Sequence, residues 1–289
     1  MKSIKVNLPC DSKQQFGGGF SFRHNLEEGL RRHTDIEVVN TVEEADVCLL
    51  AGVTMVTRQT VDKIQSLDKK LVVRLDNVPR NSRNRNTGTS RLKEFAQRAD
   101  MVVWQCEWAR GYLMDFIERE GVIIYNGIDE EVFKPTGDVF SHNKEEVRYM
   151  YSRFNRDENK RWEEAWYEFQ LLYRENNKAR LVIVGKFSPE QVEYGFDFFR
   201  GEKVEYHGIV GQKEKMASIL RSCDFMLAPY FADCYSNSYL EYLMTGGELF
   251  KPSMTGGTPE ILENMKKGRE YNGLKRMAQE YESMFYGLL

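Results

Sequence analysis

Residues 180–229 read RLVIVGKFSPEQVEYGFDFFRGEKVEYHGIVGQKEKMASILRSCDFMLAP, and this stretch alternates strand and helix signals. Arg180 to Gly185 is a short apolar run of strand type, and Lys203 to His207 and Phe225 to Pro229 are two more. Between the first two, Ser188-Pro189-Glu190-Gln191 supplies an N-cap, a proline at the first helical position and a glutamine three residues after the cap, which predicts a helix start. Gln212 to Arg221 predicts a second helix. Strands alternating with helices imply a largely parallel sheet covered on both faces, an α/β fold.

The pattern extends in both directions. Upstream, Trp162, Ala165, Trp166, Phe169, Leu172 and Tyr173 recur at i, i+3, i+4, i+7 and mark an amphipathic helix. The polar stretch Lys134 to Glu146, with Pro135 and Gly137, reads as a linker. Before it lies another αβ series, with strands expected at Ile4 to Leu8, Ala45 to Ala51, Leu71 to Leu75, Met101 to Trp104 and Val122 to Tyr125. A helix is expected at Phe22 to Arg32, after a turn made by Gly17, Gly18 and Gly19. After Pro259 the tail reads as helix to the end, its stripe of Leu274, Met277, Ala278, Tyr281, Phe285 and Leu288 requiring cover.

The 289 residues include 41 basic and 44 acidic side chains, a net charge of −3, which excludes binding of polyanions by overall charge but permits a local basic patch. That patch is Arg80 to Lys93: Arg80, Arg83, Arg85, Arg91 and Lys93 carry +5 without an acidic residue, leaving −8 on the rest. Phosphate contact, DNA included, is one reading, and a solvated loop or one paired with acidic neighbours is the other. The five cysteines are widely spaced and fit neither a disulfide framework nor a zinc site, so reduced thiols in a cytoplasm are expected. No apolar run reaches the roughly 18–20 residues of a membrane span, and the start MKSIKVNLPCDSKQQ lacks the apolar core of a signal peptide.

Gly17-Gly18-Gly19-Phe20 matches neither dinucleotide-binding nor P-loop patterns. Four other segments follow in order: Asn126-Gly127-Ile128-Asp129 with Phe133-Lys134-Pro135; Ser152-Arg153-Phe154 with Lys160 and Trp162; Asp233 to Glu241; and Thr255-Gly256-Gly257-Thr258-Pro259-Glu260. Together they resemble the retaining family-4 glycosyltransferases of the GT-B fold. The resemblance covers most of the chain from about Ala99 onward.

It implies two Rossmann-like domains facing a cleft: an acceptor domain at residues 1–130, a nucleotide-sugar donor domain at 131–265, and a helix at 266–289 crossing back to the first. The donor would be a UDP- or GDP-linked sugar. Its diphosphate leaves only if fixed cations and N–H groups stabilise it, and Arg153 and Lys160 are the candidate cations, or else solvated charges in the loop NRDENKRW. Ser236, Asn237 and Ser238 precede a helix whose N-terminus would seat the diphosphate. Similar enzymes carry Glu at both ends of the next motif, the first on the transferred sugar and the second on the ribose. Here they are Asp233 and Glu241, and the shorter first carboxylate implies a different sugar pocket. Ser238 to Glu241 also fits a capping box that needs no ligand.

Ile209 falls where such enzymes meet the donor base, and Gly18 and Gly19 are further donor-contact candidates; His207 is assigned no chemistry. Related enzymes often place a His at the end of the strand that here reads Val72-Val73-Arg74-Leu75-Asp76-Asn77, which leaves Asp76 as acceptor contact or turn cap. A front-face retaining reaction can use the donor phosphate as proton acceptor. No Asp-x-Asp motif occurs, so no metal is expected. The expected activity is sugar transfer to a hydroxymethylated base in DNA, with a surface glycan or lipid as the alternative acceptor. A catalytically idle nucleotide-sugar or nucleic-acid binding module is the alternative of a different class.

Overall fold

The computed structural model describes residues 3–13, 17–78, 85–154, 158–185 and 203–289. The chain divides into two compact units, one made of residues 1–129, 233–237 and 259–289, the other of 130–232 and 238–258.

The first unit holds a six-stranded sheet of β1 (Lys5–Asn7), β2 (Glu37–Val39), β3 (Val47–Leu50), β4 (Lys70–Leu75), β5 (Met101–Trp104) and β6 (Val122–Ile123), in the order β2-β1-β3-β4-β5-β6. Every pairing is parallel. Helices α1 (Gly18–His33), α2 (Arg58–Ser66), α3 (Arg85–Arg98) and α4 (Glu107–Ile117) provide the crossovers. β3 and β4 are buried, as doubly covered parallel strands must be, which explains their near-continuous apolar sequence.

The second unit holds a five-stranded parallel sheet of β7 (Val147–Phe154), β8 (Ala179–Gly185), β9 (Val204–Tyr206), β10 (Phe225–Leu227) and β11 (Glu248–Phe250), in the order β11-β10-β7-β8-β9. Its helices are α5 (Trp162–Glu175), α6 (Lys213–Arg221) and α7 (Asn237–Met244). α8 (Thr258–Lys266) and α9 (Leu274–Leu288) follow.

Several sequence expectations need correction. Gly18 and Gly19 lie inside the first turn of α1, so the helix starts where a turn was expected; only Gly17, at φ 124°, has a conformation that demands glycine. The basic run is no loop from Arg85 onward, because it forms the first half of α3. The tail is two helices: Gly268 at φ 95° breaks it, and the buried Asn272 side chain donates to the carbonyls of Asn264 (2.9 Å) and Gly268 (2.8 Å) at the end of α8. The stripe on α9 is covered by α1, where Gly29 brings Ala278 and Leu274 within van der Waals reach. The helix expected at Ser188 lies outside the described residues.

β2, β7 and β11 had no clear strand signal. β2 and β11 are three-residue edge strands. β7 reads Val-Arg-Tyr-Met-Tyr-Ser-Arg-Phe, and its Arg148 is buried yet ion-paired with Glu146 (3.2 Å) and Glu205 (2.9 Å). A neutralised buried charge looks, in sequence, like an exposed one.

Candidate functional site

In the second sheet the chain leaves β7 toward β8 and β9 on one side and returns to β10 and β11 on the other. The carboxyl ends of β7 and β10 therefore form the topological switch point, where open α/β sheets bind ligands. β7 delivers Ser152 and Arg153 there, with a register shift between Ser152 and Phe154 that makes Arg153 a bulge position. The Arg153 side chain lies outside what is described.

A 3-10 turn, Glu158–Lys160, follows, and Lys160 is only 8% exposed. Its ammonium lies 4.0 Å from the centroid of the Tyr230 ring, a distance at which the ring face stabilises a desolvated cation. Tyr230 comes from the segment after β10 and is itself fixed: its hydroxyl donates to the Ser152 carbonyl, its N–H donates to the Tyr239 hydroxyl at 3.0 Å, and its ring stacks on Tyr239 at 4.4 Å. Tyr151 donates to the Lys160 carbonyl at 2.7 Å, and Phe231 N–H donates to the Asn159 carbonyl at 2.8 Å. Lys160 is thus gripped on a rigid aromatic base. Lys160 carries a signal in the sequence and Tyr230 does not, because an aromatic at a strand end has none of its own.

Ser236, Asn237 and Ser238 are all buried at the start of α7, and this eight-residue helix begins at Asn237. Ser238 is therefore its second residue and Glu241 its fifth. A capping box requires the carboxylate at the third position, so that structural alternative for Glu241 falls away. Asp233 and Glu241 are half-buried. Ile209 follows β9 and is exposed, next to Gly208 at φ 64°.

In the first unit, Asp76 stands just beyond β4. A Cβ on Gly52 would lie 2.7 Å from its Oδ2, and one on Gly19 would lie 2.7 Å from Met55 Sδ and 3.7 Å from Asp76 Oδ2. Gly19 thus serves close packing around Met55 and Asp76, while Gly18 is exposed. Asn126 is buried, and Asp129 accepts from Arg32 at 3.0 Å. Glu260, from the Thr255 to Glu260 motif, accepts the N–H groups of Glu107 (2.9 Å) and Trp108 (2.8 Å) and the Tyr125 hydroxyl (3.0 Å). It caps α4, and burial together with this carboxylate pushes the Tyr125 hydroxyl above its ordinary range.

Of the basic run, Arg80 and Arg83 lie outside the described residues, as does the Arg85 side chain. Arg91 is half-buried. Lys93 pairs with Glu118 at 3.4 Å and lies 5.6 Å from the Phe116 ring centroid. Among the described residues no cluster of His, Cys, Asp and Glu could hold a metal ion, no helix is long and apolar enough to cross a membrane, and none of the five cysteines is in a disulfide.

Residues 146–280 match the family model described as Glycosyl transferases group 1. No curated protein matches the chain. Among solved structures, a sucrose-phosphate synthase from Thermosynechococcus elongatus is similar, with TM-score 0.73 and 11% identity over 99% of both chains. AviGT4, a glycosyltransferase involved in avilamycin A biosynthesis, superposes with TM-score 0.64 and 14% identity over 99% of this chain and 98% of its own. The pneumococcal O-GlcNAc transferase GtfA, in complex with UDP and GlcNAc, gives TM-score 0.59 and 12% identity over 84% of this chain and 56% of its own. Those likenesses carry the fold: the chain has the GT-B architecture, and its second half, residues 146–280, matches the group 1 glycosyltransferase model.

Proposed function

We propose that this protein transfers a sugar, with retention and without a metal, from a nucleoside-diphosphate sugar to an acceptor hydroxyl. The observation that carries the reading is Lys160, an ammonium with 8% exposure set on the Tyr230 ring at the switch point of the second sheet. Lysine is rarely buried without a use for its charge. In this reading Lys160 and Arg153 neutralise the departing diphosphate, the start of α7 binds it through free N–H groups, Asp233 meets the sugar hydroxyls, and Glu241 holds the ribose. Ile209 lies beside the base, and Asp76 contacts the acceptor. The UDP in the GtfA complex supports a UDP-linked donor, with GDP as the other nucleotide to test.

Glu241→Gln should weaken binding of the accepted nucleotide by about 10-fold while leaving the melting temperature nearly unchanged, since a charge-assisted hydrogen bond is lost and no cap is broken. Calorimetry alongside thermal melting checks this, and unchanged affinity would return Glu241 to a purely structural place.

For the acceptor we infer a hydroxymethylated base in DNA, supported by the positive charge of Arg80, Arg83, Arg85 and Arg91. Lys93 shares its charge with Glu118 in an exposed pair. A glycan acceptor is favoured by a different observation: Trp108 and Tyr112 stack at 5.1 Å on α4 and Tyr112 is 60% exposed, a surface that suits the apolar face of a sugar. Mass spectrometry of hydroxymethylated duplex DNA and of glycan and lipid acceptors, after incubation with UDP- and GDP-sugars, decides between them. A mass gain locates the acceptor, and no gain on any of them with the donor intact would overturn the assignment of transfer. If DNA is the acceptor, Arg83→Gln with Arg85→Gln should flatten the salt dependence of DNA affinity by about 0.9 per lost contact.

A further inference from the structure

β4 reads Lys-Leu-Val-Val-Arg-Leu, so Arg74 stands where a doubly covered strand otherwise carries aliphatic residues. Arg74 is 2% exposed. One guanidinium nitrogen donates to the Ala51 carbonyl at 2.8 Å, another to Asn126 Oδ1 at 2.9 Å, and the group sits 3.6 Å from the Phe22 ring centroid. Among the described residues no carboxylate is within ion-pair distance of it, and burial pushes the guanidinium below its ordinary range against the pull of Tyr281 and Asp76. A buried cation supported only by neutral oxygens and a ring costs stability. Its consequence for its neighbours is a fixed polarity.

A guanidinium can only donate. Its bond therefore sets Asn126 with Oδ1 toward Arg74, and the Asn126 Nδ2 turns to donate to Asn237 Oδ1 at 2.8 Å and the Tyr235 carbonyl at 3.1 Å. Asn237 is the first residue of α7. With its Oδ1 committed to Asn126, the end of its amide still available is Nδ2, for which the described residues provide no acceptor.

We propose that Arg74 and Asn126 are positioning residues that set the amide of Asn237 so that it offers an N–H, and not a carbonyl, to the donor's diphosphate. The inference rests on the reading of the α7 start as the diphosphate seat. It assigns a role to the asparagine of Asn126-Gly127-Ile128-Asp129 and to an arginine inside an apolar strand, neither of which touches the donor.

The discriminating variant is Asn126→Asp. Its carboxylate still accepts from Arg74 and gives that cation a counterion, but it cannot donate, so Asn237 must turn Nδ2 inward and present a carbonyl oxygen to the anion. The expected result is a melting temperature held or raised, affinity for UDP or GDP reduced about 10-fold or more, and affinity for the matching nucleoside unchanged. Calorimetry with the diphosphates and ligand-observed NMR with uridine and guanosine read these quantities. A parallel loss of stability and of nucleoside and diphosphate binding would mean a structural role and overturn the proposal. Unchanged diphosphate affinity would overturn it while leaving the donor site standing, whereas wild-type protein that binds neither UDP nor GDP would overturn both. Should Asn126→Asp fail to fold, Arg74→Lys and Arg74→Met decide: the lysine keeps a donor and should keep the affinity, the methionine should lose about 10-fold, and equal affinities would sink the relay.

Discussion

Replacing Lys160 by alanine is expected to lower the rate of sugar transfer at saturating donor by about 100-fold or more, the usual effect of removing one fixed contact from developing charge. The stability effect should be much smaller. The contact with the Tyr230 ring is worth about 0.5–2 kcal/mol, and the Lys160 carbonyl that Tyr151 uses is unaffected by the side chain. A steady-state assay paired with a melting curve separates the two. Lys160→Arg should retain more activity than alanine because the charge survives, although a planar guanidinium fits the ring differently. Near-normal turnover of the alanine variant would remove Lys160 from the chemistry and with it the main support for the donor site.

The largest stability loss should come from Gly127→Ala. A Cβ there would lie 2.3 Å from the Gly273 carbonyl oxygen, 2.9 Å from its carbon and 3.0 Å from Met277 Cβ. The obstacle is backbone, so no rotamer change relieves it. Ile128 also donates to the Asn272 carbonyl at 3.1 Å, and Gly127 N–H lies 3.1 Å from Met277 Sδ, which locks the same segment to the start of α9. Overpacking of this kind costs about 3 kcal/mol, which for a unit of this size lowers the melting temperature by on the order of 6–12 °C. Nucleotide binding should weaken too, because Asn126 precedes the displaced residue. A melting temperature within about 2 °C of wild type would show that α9 yields easily.

The parts of the fold legible in sequence are those in which burial and composition agree. β3, β4 and β8 are mostly apolar because both sheet faces are covered, and α5 announces itself through its aromatic stripe. β7 was hidden because its arginine is buried and neutralised by Glu146 and by Glu205, the second of which lies 57 residues away and outside any local window. At the site, Lys160 and the α7 start were visible because their order along the chain is distinctive. Tyr230 and Arg74 were not, and Asn126 was visible only as part of its motif, since the contacts of all three are made across strands and loops. Arg74 did leave one trace, a charge in the middle of an apolar strand, and such an interruption marks a buried polar network.

The first unit is discontinuous: residues 1–129 need 233–237 and 259–289 to complete them, and α9 supplies the cover for α1. A ribosome adds roughly 5–20 residues per second, so on the order of ten seconds separate the synthesis of β6 from that of α9. During that interval the apolar face of α1, with Phe22, Leu26 and Leu30, has no cover, while the intervening stretch that forms the other sheet has emerged whole. The nascent first sheet is therefore the aggregation-exposed intermediate of this chain, and factors that bind exposed apolar helices should matter more for its yield than any help given to the second half.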